Sequence, residues 1–260
     1  MYAFDLVRPT SVADAVTALG TEDAQALGGG QTLIPTLKQR LAQPSKLVSL
    51  TGIAEMVGVS QQPGRVVIGG ATTHGTVAAE ASQYPALAAC AAHIGDPAVR
   101  NRGTIGGSLA NNDPSACYPA AALASGATIT TNTREIAADD YFQGMFTTAL
   151  EEGEIITSVS FPVPEAANYQ KFVQPASRFA LVGVFVAKYP DGVRVAVTGA
   201  SEEGVFRWSD AEAALSANFA ADAIADLSVS ADGMIGDLHG TPQYRAHLVK
   251  VLTKRAVAAA

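Results

Sequence analysis

The chain is short of cysteine, of positive charge and of long apolar runs, and each shortage removes a class of function. Of its 260 residues only 2 are cysteine, Cys90 and Cys117. An iron–sulfur cluster generally takes four thiolate ligands, so this chain cannot build one alone. Two cysteines also make no disulfide framework. Four histidines, His74, His93, His239 and His247, lie far apart, and no metal site is expected from their spacing. Lys and Arg number 17 against 24 Asp and Glu, a net charge of −7. No basic field exists to draw nucleic-acid phosphates, so no nucleic-acid role is expected. The one basic cluster, Lys250, Lys254 and Arg255, reads as a solvated helix face near a negative dipole end. No stretch of 18 apolar residues occurs, so no membrane span is expected. The opening residues carry no charged leader and no apolar core of signal-peptide length, which points to the cytoplasm.

Familiar catalytic and phosphate motifs are missing too. There is no Gly-Lys-Ser/Thr triplet, and Leu33 stands where a dinucleotide fingerprint needs its third glycine. There is no Gly-x-Ser-x-Gly, and Ser108 has no histidine near it in sequence.

Two glycine runs are present instead. The first is Gly28-Gly29-Gly30-Gln31-Thr32-Leu33-Ile34-Pro35; the second runs from Asn101 to Pro114 and holds Thr104, Ile105, Gly106, Gly107 and Ser108. Either could be a plain tight turn. Together they suggest two backbone walls around one phosphate-bearing ligand. Glycine lets main-chain N–H groups approach anionic oxygens, and Thr32, Thr104 and Ser108 add hydroxyls. Asp113-Pro114 at the end of the second run reads as a helix entry.

Along the chain, 48% hydrophobic and 16% charged residues support a well-filled core. The first unit, about 1–55, reads as β-α-β: a strand at Phe4 and Leu6, a helix from Ser11, a strand over 24–27, a helix over 33–41 and a strand over 47–50. A hairpin turning at Pro63-Gly64 opens the second unit, 56–163. Helices follow over 76–82, 85–94 and 118–125, with strands over 127–131 and 155–162. Residues 162–168 read as a linker. Beyond it, strands over 181–187 and 193–197 turn at Pro190-Asp191-Gly192, and helices over 209–215, 220–225 and 244–258 complete a small α+β domain.

Both glycine runs, with Tyr169-Gln170-Lys171-Phe172 and Ala176-Ser177-Arg178-Phe179-Ala180, resemble the medium subunit of the molybdenum hydroxylases. That family includes the flavoprotein subunits of carbon monoxide dehydrogenase and of xanthine and aldehyde dehydrogenases. The likeness covers essentially the whole chain. It implies an α+β fold: a two-part FAD-binding domain of the PCMH/vanillyl-alcohol-oxidase-like type over 1–163, then a C-terminal flavoprotein domain over 168–260. It implies FAD bound without a covalent link. Electrons would reach that FAD from two [2Fe-2S] clusters of a small subunit, after oxidation of substrate at a molybdenum cofactor in a large subunit. They would leave to NAD, a quinone or oxygen. The expected assembly is a dimer of heterotrimers, a heterohexamer.

The implied cofactor residues are Gly28, Gly29, Gly30, Gln31, Thr32 and Leu33 in the first loop. Thr104, Ile105, Gly106, Gly107, Ser108, Asn112, Asp113 and Cys117 come from the second, with Ile156 and Lys171 further on. No catalytic residue and no metal ligand is expected. Lys171 matches a lysine near the ring system, where a cation would favour the anionic reduced flavin; by composition alone it could be a surface charge. Cys117 falls where many relatives have an aspartate. A thiol does not replace a charged acceptor, and Cys117 could equally be a small buried apolar residue. Two other classes fit the chain: a stand-alone FAD-dependent oxidase or dehydrogenase of related fold, and a scaffold that lost its cofactor.

Overall fold

The computed structural model describes residues 1–260 and contains three sheets. The first is parallel, in the order β1-β3-β2, from β1 (Asp5–Val7), β2 (Ala24–Leu27) and β3 (Lys46–Ser49). Parallel neighbours need crossovers, and helices α1 (Val12–Leu19) and α2 (Leu33–Lys38) lie in them. α1 starts at the expected cap, where Ser11 Oγ accepts from the Asp14 N–H at 3.1 Å. Its Ala15 side packs with Val48, Ile53 and Met56 in a small core. α2 ends three residues before the expected 41. Arg40 turns left-handed at φ 61°, and the Leu41 N–H reaches back to the Thr36 carbonyl at 3.1 Å. That is a Schellman-type stop, made here without glycine.

The second sheet runs β4-β5-β8-β6-β7. Its strands are β4 (Val59–Gln62), β5 (Arg65–Gly69), β6 (Thr128–Thr131), β7 (Glu135–Ala137) and β8 (Ile156–Pro162). β5 and β8 pair antiparallel although they are far apart in sequence. Between them lie α3 (His74–Glu80), α4 (Pro85–Ala92), α5 (Pro97–Arg100), α6 (Ile105–Asn111), α7 (Tyr118–Ser125) and α8 (Ala138–Tyr141). Every residue of α7 is buried. Its alanines leave no bulky face, so sheets can press on it from several sides.

The third sheet is antiparallel, in the order β12-β11-β10-β9. It holds β9 (Ala166–Val173), β10 (Ala180–Tyr189), β11 (Gly192–Ser201) and β12 (Gly204–Arg207), followed by α9 (Ser209–Ala217) and α10 (Pro242–Ala259). β10 alternates between two cores. Val182, Val184 and Val186 join the core under α9 and α10. Phe185 and Ala187 join the core of the second sheet. A strand covered on both faces reads as a continuous apolar run, as 181–187 does. Arg194 of β11 ties the third sheet to α7 and α8: its guanidinium donates to the Leu123 carbonyl at 2.8 Å and pairs with Asp139 at 2.6 Å.

Three further local expectations change. β8 runs to Pro162 and β9 starts at Ala166, which leaves only three of the residues read as a linker between strands. Residues 221–224 form a 3₁₀ turn rather than an α-helix. The helix of the second glycine run begins inside the run, at Ile105, not at Asp113-Pro114. Thr104 makes this possible: its Oγ1 caps the helix by accepting from the Gly107 N–H at 3.2 Å. Asp113 instead folds an Asx turn, with Oδ1 accepting from the Ser115 N–H at 2.8 Å.

Candidate functional site

A cavity of about 560 Å³ opens between the two glycine runs, within the usual size range of small-molecule sites. β2 delivers Gly28, Gly29 and Gly30 to its rim, and Gln31, Thr32 and Leu33 continue the wall. Thr104, Gly106, Gly107 and Ser108 form the facing wall, and Asp113, Cys117, Ile156 and Lys171 complete it. Fourteen of the sixteen sequence-expected residues therefore converge on one space. Ile105 and Asn112 do not line it. Ile105 is fully buried in the core of the second sheet. Asn112 spends its side-chain amide on the carbonyls of Gly144 at 2.8 Å and Thr147 at 2.9 Å.

Several of these glycines also have a packing role. A Cβ on Gly29 would collide with the Arg102 carbonyl and come within 2.5 Å of Gly103 Cα. One on Gly106 would stand 2.6 Å from the Gly70 carbonyl oxygen, and one on Gly28 2.8 Å from Thr104 Oγ1. Gly29 and Gly106 let one backbone lie on another, while Gly28 leaves room for the Thr104 hydroxyl. Gly107 differs, since its added Cβ meets only Thr104 Oγ1, at 2.9 Å.

Donors are unequally divided. In the second run the Gly106 N–H donates to the Gly70 carbonyl at 2.9 Å, and the Ser108 N–H to the Thr104 carbonyl at 3.0 Å. The Gly107 N–H is taken by the Thr104 hydroxyl. In the first run the N–H groups of Gly29, Gly30, Gln31 and Thr32 have no protein acceptor. Gly30 sits at φ 72°, the left-handed step that lets successive N–H groups converge. Anion-binding capacity therefore lies in the first loop. The second loop supplies shape and the Ser108 hydroxyl.

Cys117 and Lys171 form a pair that the sequence did not announce. The turn at 113–117 is pinned to β11: Thr198 Oγ1 donates to the carbonyls of Pro114 at 2.8 Å or Ala116 at 2.7 Å, and the Gly199 N–H donates to Pro114. This sets Cys117 at the start of α7, 3.4 Å from Lys171 Nζ on β9. Lys171 also donates to the His93 carbonyl at 2.9 Å. The neighbouring Cys90 thiol, then the Lys171 charge, pull the Cys117 thiol down to about 6. Burial pushes Cys90 up. Lys171 is thus neither a free surface charge nor an isolated cation.

His74 is a cavity residue that the sequence reading passed over, since a lone histidine at a helix start carries no specific signal. Its Nδ1 is buried without a partner. Burial, then the Arg100 charge, lowers its pKa to about 4, so it is neutral at pH 7. Gly70 and Ala71 also line the cavity; the Gly69-Gly70 pair closing β5 was the readable sign. The 174–179 turn brings Ser177, Arg178 and Phe179 to the mouth, with Arg178 at φ 61°. No group of three or more His, Cys, Asp or Glu is placed to hold a metal ion.

Residues 2–164 match the family described as FAD binding domain in molybdopterin dehydrogenase. The chain is 35% identical to the carbon monoxide dehydrogenase medium chain of Afipia carboxidovorans, over 98% of this chain and 96% of that one. It is 34% identical to the nicotine 6-hydroxylase medium subunit of Paenarthrobacter nicotinovorans, over 96% and 94%. Among solved structures, quinoline 2-oxidoreductase from Pseudomonas putida 86 superposes with a TM-score of 0.88 at 29% identity, over 100% of this chain and 97% of the other.

Proposed function

The chain belongs to the family of FAD-binding domains of molybdopterin dehydrogenases, and from that premise we propose that it is the electron-exit subunit of a molybdenum hydroxylase complex. The observation that carries the reading is the row of unpaired N–H groups from Gly29 to Thr32 on a cavity of about 560 Å³. Such a row suits a pyrophosphate, which an acidic chain must hold with local dipoles rather than net charge. FAD supplies two-electron and one-electron redox chemistry when bound. The chain's own part is to hold and orient it. The first loop takes the pyrophosphate. Ser108 and the Asp113 turn line the wall beside it, and Ile156, Cys117 and Lys171 line the end closed by β8 and β9.

We assign FAD binding to residues 1–163, in subdomains of about 1–55 and 56–163, and place a C-terminal flavoprotein domain at 168–260. The third sheet would act as a backing plate that fixes Lys171 and the Cys117 turn. A large molybdenum subunit and a small subunit with two [2Fe-2S] clusters would be the partners, in a dimer of heterotrimers in the cytoplasm. NAD, a quinone or oxygen would reoxidise the flavin. No helix is long and apolar enough to cross a membrane. Two relatives carry medium-chain or medium-subunit names and are matched over 94% and 96% of their length, which favours a subunit over a stand-alone oxidase. The test is to mix the flavin-loaded chain, without oxygen, with aldehydes, purines and aromatic heterocycles. The flavin should stay oxidised until the partner subunits are added. Rapid stoichiometric bleaching by the chain alone would make it an autonomous enzyme and overturn the proposal.

A further inference from the structure

Two thiols, two tyrosines and a lysine meet behind the cavity wall, and cofactor binding does not account for all of them. Cys117 opens α7 and lines the cavity while being 4% exposed. Its Sγ lies 3.4 Å from Lys171 Nζ. Cys90, on α4, is fully buried in the same core and is the neighbour that weighs most on the Cys117 thiol. The Tyr169 hydroxyl is buried beside them without a hydrogen-bond partner in the fold, and so is that of Tyr118. Both cysteines are free.

We propose that Cys117 is a site of reversible oxidation by hydroperoxides, with Cys90 as its resolving thiol and Lys171 as the cation that keeps Cys117 a thiolate. The thiolate, not the thiol, is the nucleophile, and a neighbouring ammonium is what stabilises it. A hydroperoxide is small enough to enter through the cavity, and Cys117 is the thiol that the cavity touches.

The chemistry balances. The Cys117 thiolate attacks the distal peroxide oxygen, so an S–O bond forms and the O–O bond breaks. The departing oxyanion takes a proton and leaves as water or an alcohol. Cys117 is then a sulfenic acid. The Cys90 sulfur attacks it, an S–S bond forms, the S–O bond breaks, and the hydroxyl leaves with the Cys90 proton as water. The two thiols lose two electrons and the hydroperoxide gains them. The titratable neighbours are few. α4 contributes Cys90 and His93, whose carbonyl holds Lys171. α7 contributes Tyr118, with His74 of α3 against its ring at 5.3 Å. β9 contributes Tyr169 and Lys171. Lys171 is the cation of this group, and no carboxylate is among them.

The experiment uses the full chain, prepared without flavin and then loaded with FAD. Iodoacetamide labelling is followed by peptide mass across a pH series. Cys117 should label with a midpoint near pH 6 while Cys90 stays unlabelled. Hydrogen peroxide should remove the two thiol hydrogens and yield one Cys90–Cys117 cross-linked peptide, reversed by dithiothreitol. With Cys90→Ala the product should stop at a dimedone-trapped sulfenic acid. Lys171→Met should move the labelling midpoint upward, and Lys171→Arg should hold it low. An ordinary midpoint, about 8.5, in the unmodified chain overturns the proposal. So do equal labelling of both thiols and unchanged thiols after peroxide. The proposed function is judged by a separate reading: bound FAD should slow Cys117 labelling in proportion to its occupancy. A low midpoint without protection by FAD would leave the thiolate site standing and move the flavin elsewhere.

Discussion

Gly29→Ala should weaken FAD binding without any new side chain reaching the ligand. The added methyl would run into the Arg102 carbonyl and lie 2.5 Å from Gly103 Cα. Ordinary carbon contact begins near 3.5 Å, so the two loops must separate by about 1 Å. Overpacking of this kind costs roughly 1–3 kcal/mol. If the flavin-free chain relaxes by opening the loops, the flavin must close them again and carries that cost. At about 1.4 kcal/mol per tenfold, Kd should then rise roughly 5- to 150-fold. If the loops cannot relax, the same energy appears as lost stability of the flavin-free chain. The assay is therefore paired: flavin fluorescence titration for Kd, and urea unfolding of the apoprotein. Gly107→Ala is the milder comparison, because its Cβ meets only the Thr104 hydroxyl; its loss of stability should not exceed the about 1 kcal/mol of the α6 cap. A Gly29→Ala chain with parental Kd and parental stability would show that the loops do not lie on each other as described.

Thr104→Ala should cost about 1 kcal/mol by removing the cap of α6, and Thr104→Ser should restore most of it in the same urea titration. Asp237→Asn leaves the buried Arg245 guanidinium with the carbonyls of Leu181 and Gly199 but no anion. Because the Asp237 side chain is 36% exposed, the loss should be about 1–2 kcal/mol, below the 3–5 of a fully buried pair. His74 predicts an acid-side slope. Its pKa is about 4 when folded and 6.5 ordinarily, so between these values the unfolded chain binds a proton that the folded chain does not. Stability from this group is complete above pH 6.5 and falls as pH drops toward 4, by up to about 1.4 kcal/mol per pH unit. His74→Gln should flatten the slope in urea midpoints measured across that range; an unchanged slope would place its origin elsewhere.

Local signals in the sequence were enough for most elements, and the misses have physical causes. The Ser11 cap, the Pro63-Gly64 turn and the apolar run 181–187 each encode their own structure, so they could be read directly. The helix inside Ile105–Asn111 could not be read this way, because two glycines argue against helix. Tertiary packing overrides that preference. The Gly70 carbonyl occupies the space a Cβ would need at Gly106, so only glycine fits there. The packing role of Gly29 and Gly106 could not be read for the same reason, since backbone-on-backbone contact between distant segments leaves no mark in either segment alone. Ile105 and Asn112 sit in the recognisable run, yet neither lines the cavity: α6 turns Ile105 into the core, and Asn112 caps its end at φ 42° with its amide on the Gly144 and Thr147 carbonyls. The Cys117–Lys171 pair joins α7 to β9 and needs the third sheet to exist. A family pattern could mark both positions, but not that they touch at 3.4 Å.

The central claim is that this chain carries FAD in the cavity between its glycine loops. The most direct measurement is the visible absorption spectrum of the purified full chain, with the released chromophore identified by mass and repeated on Gly29→Ala and Gly107→Val. The account predicts a yellow protein with about one FAD per chain, released without proteolysis because no covalent link holds it. Gly107→Val should be depleted of flavin, and Gly29→Ala should be either depleted of flavin or less stable than the parent. A colourless chain that takes up no added FAD, or full flavin occupancy in both variants, would contradict it.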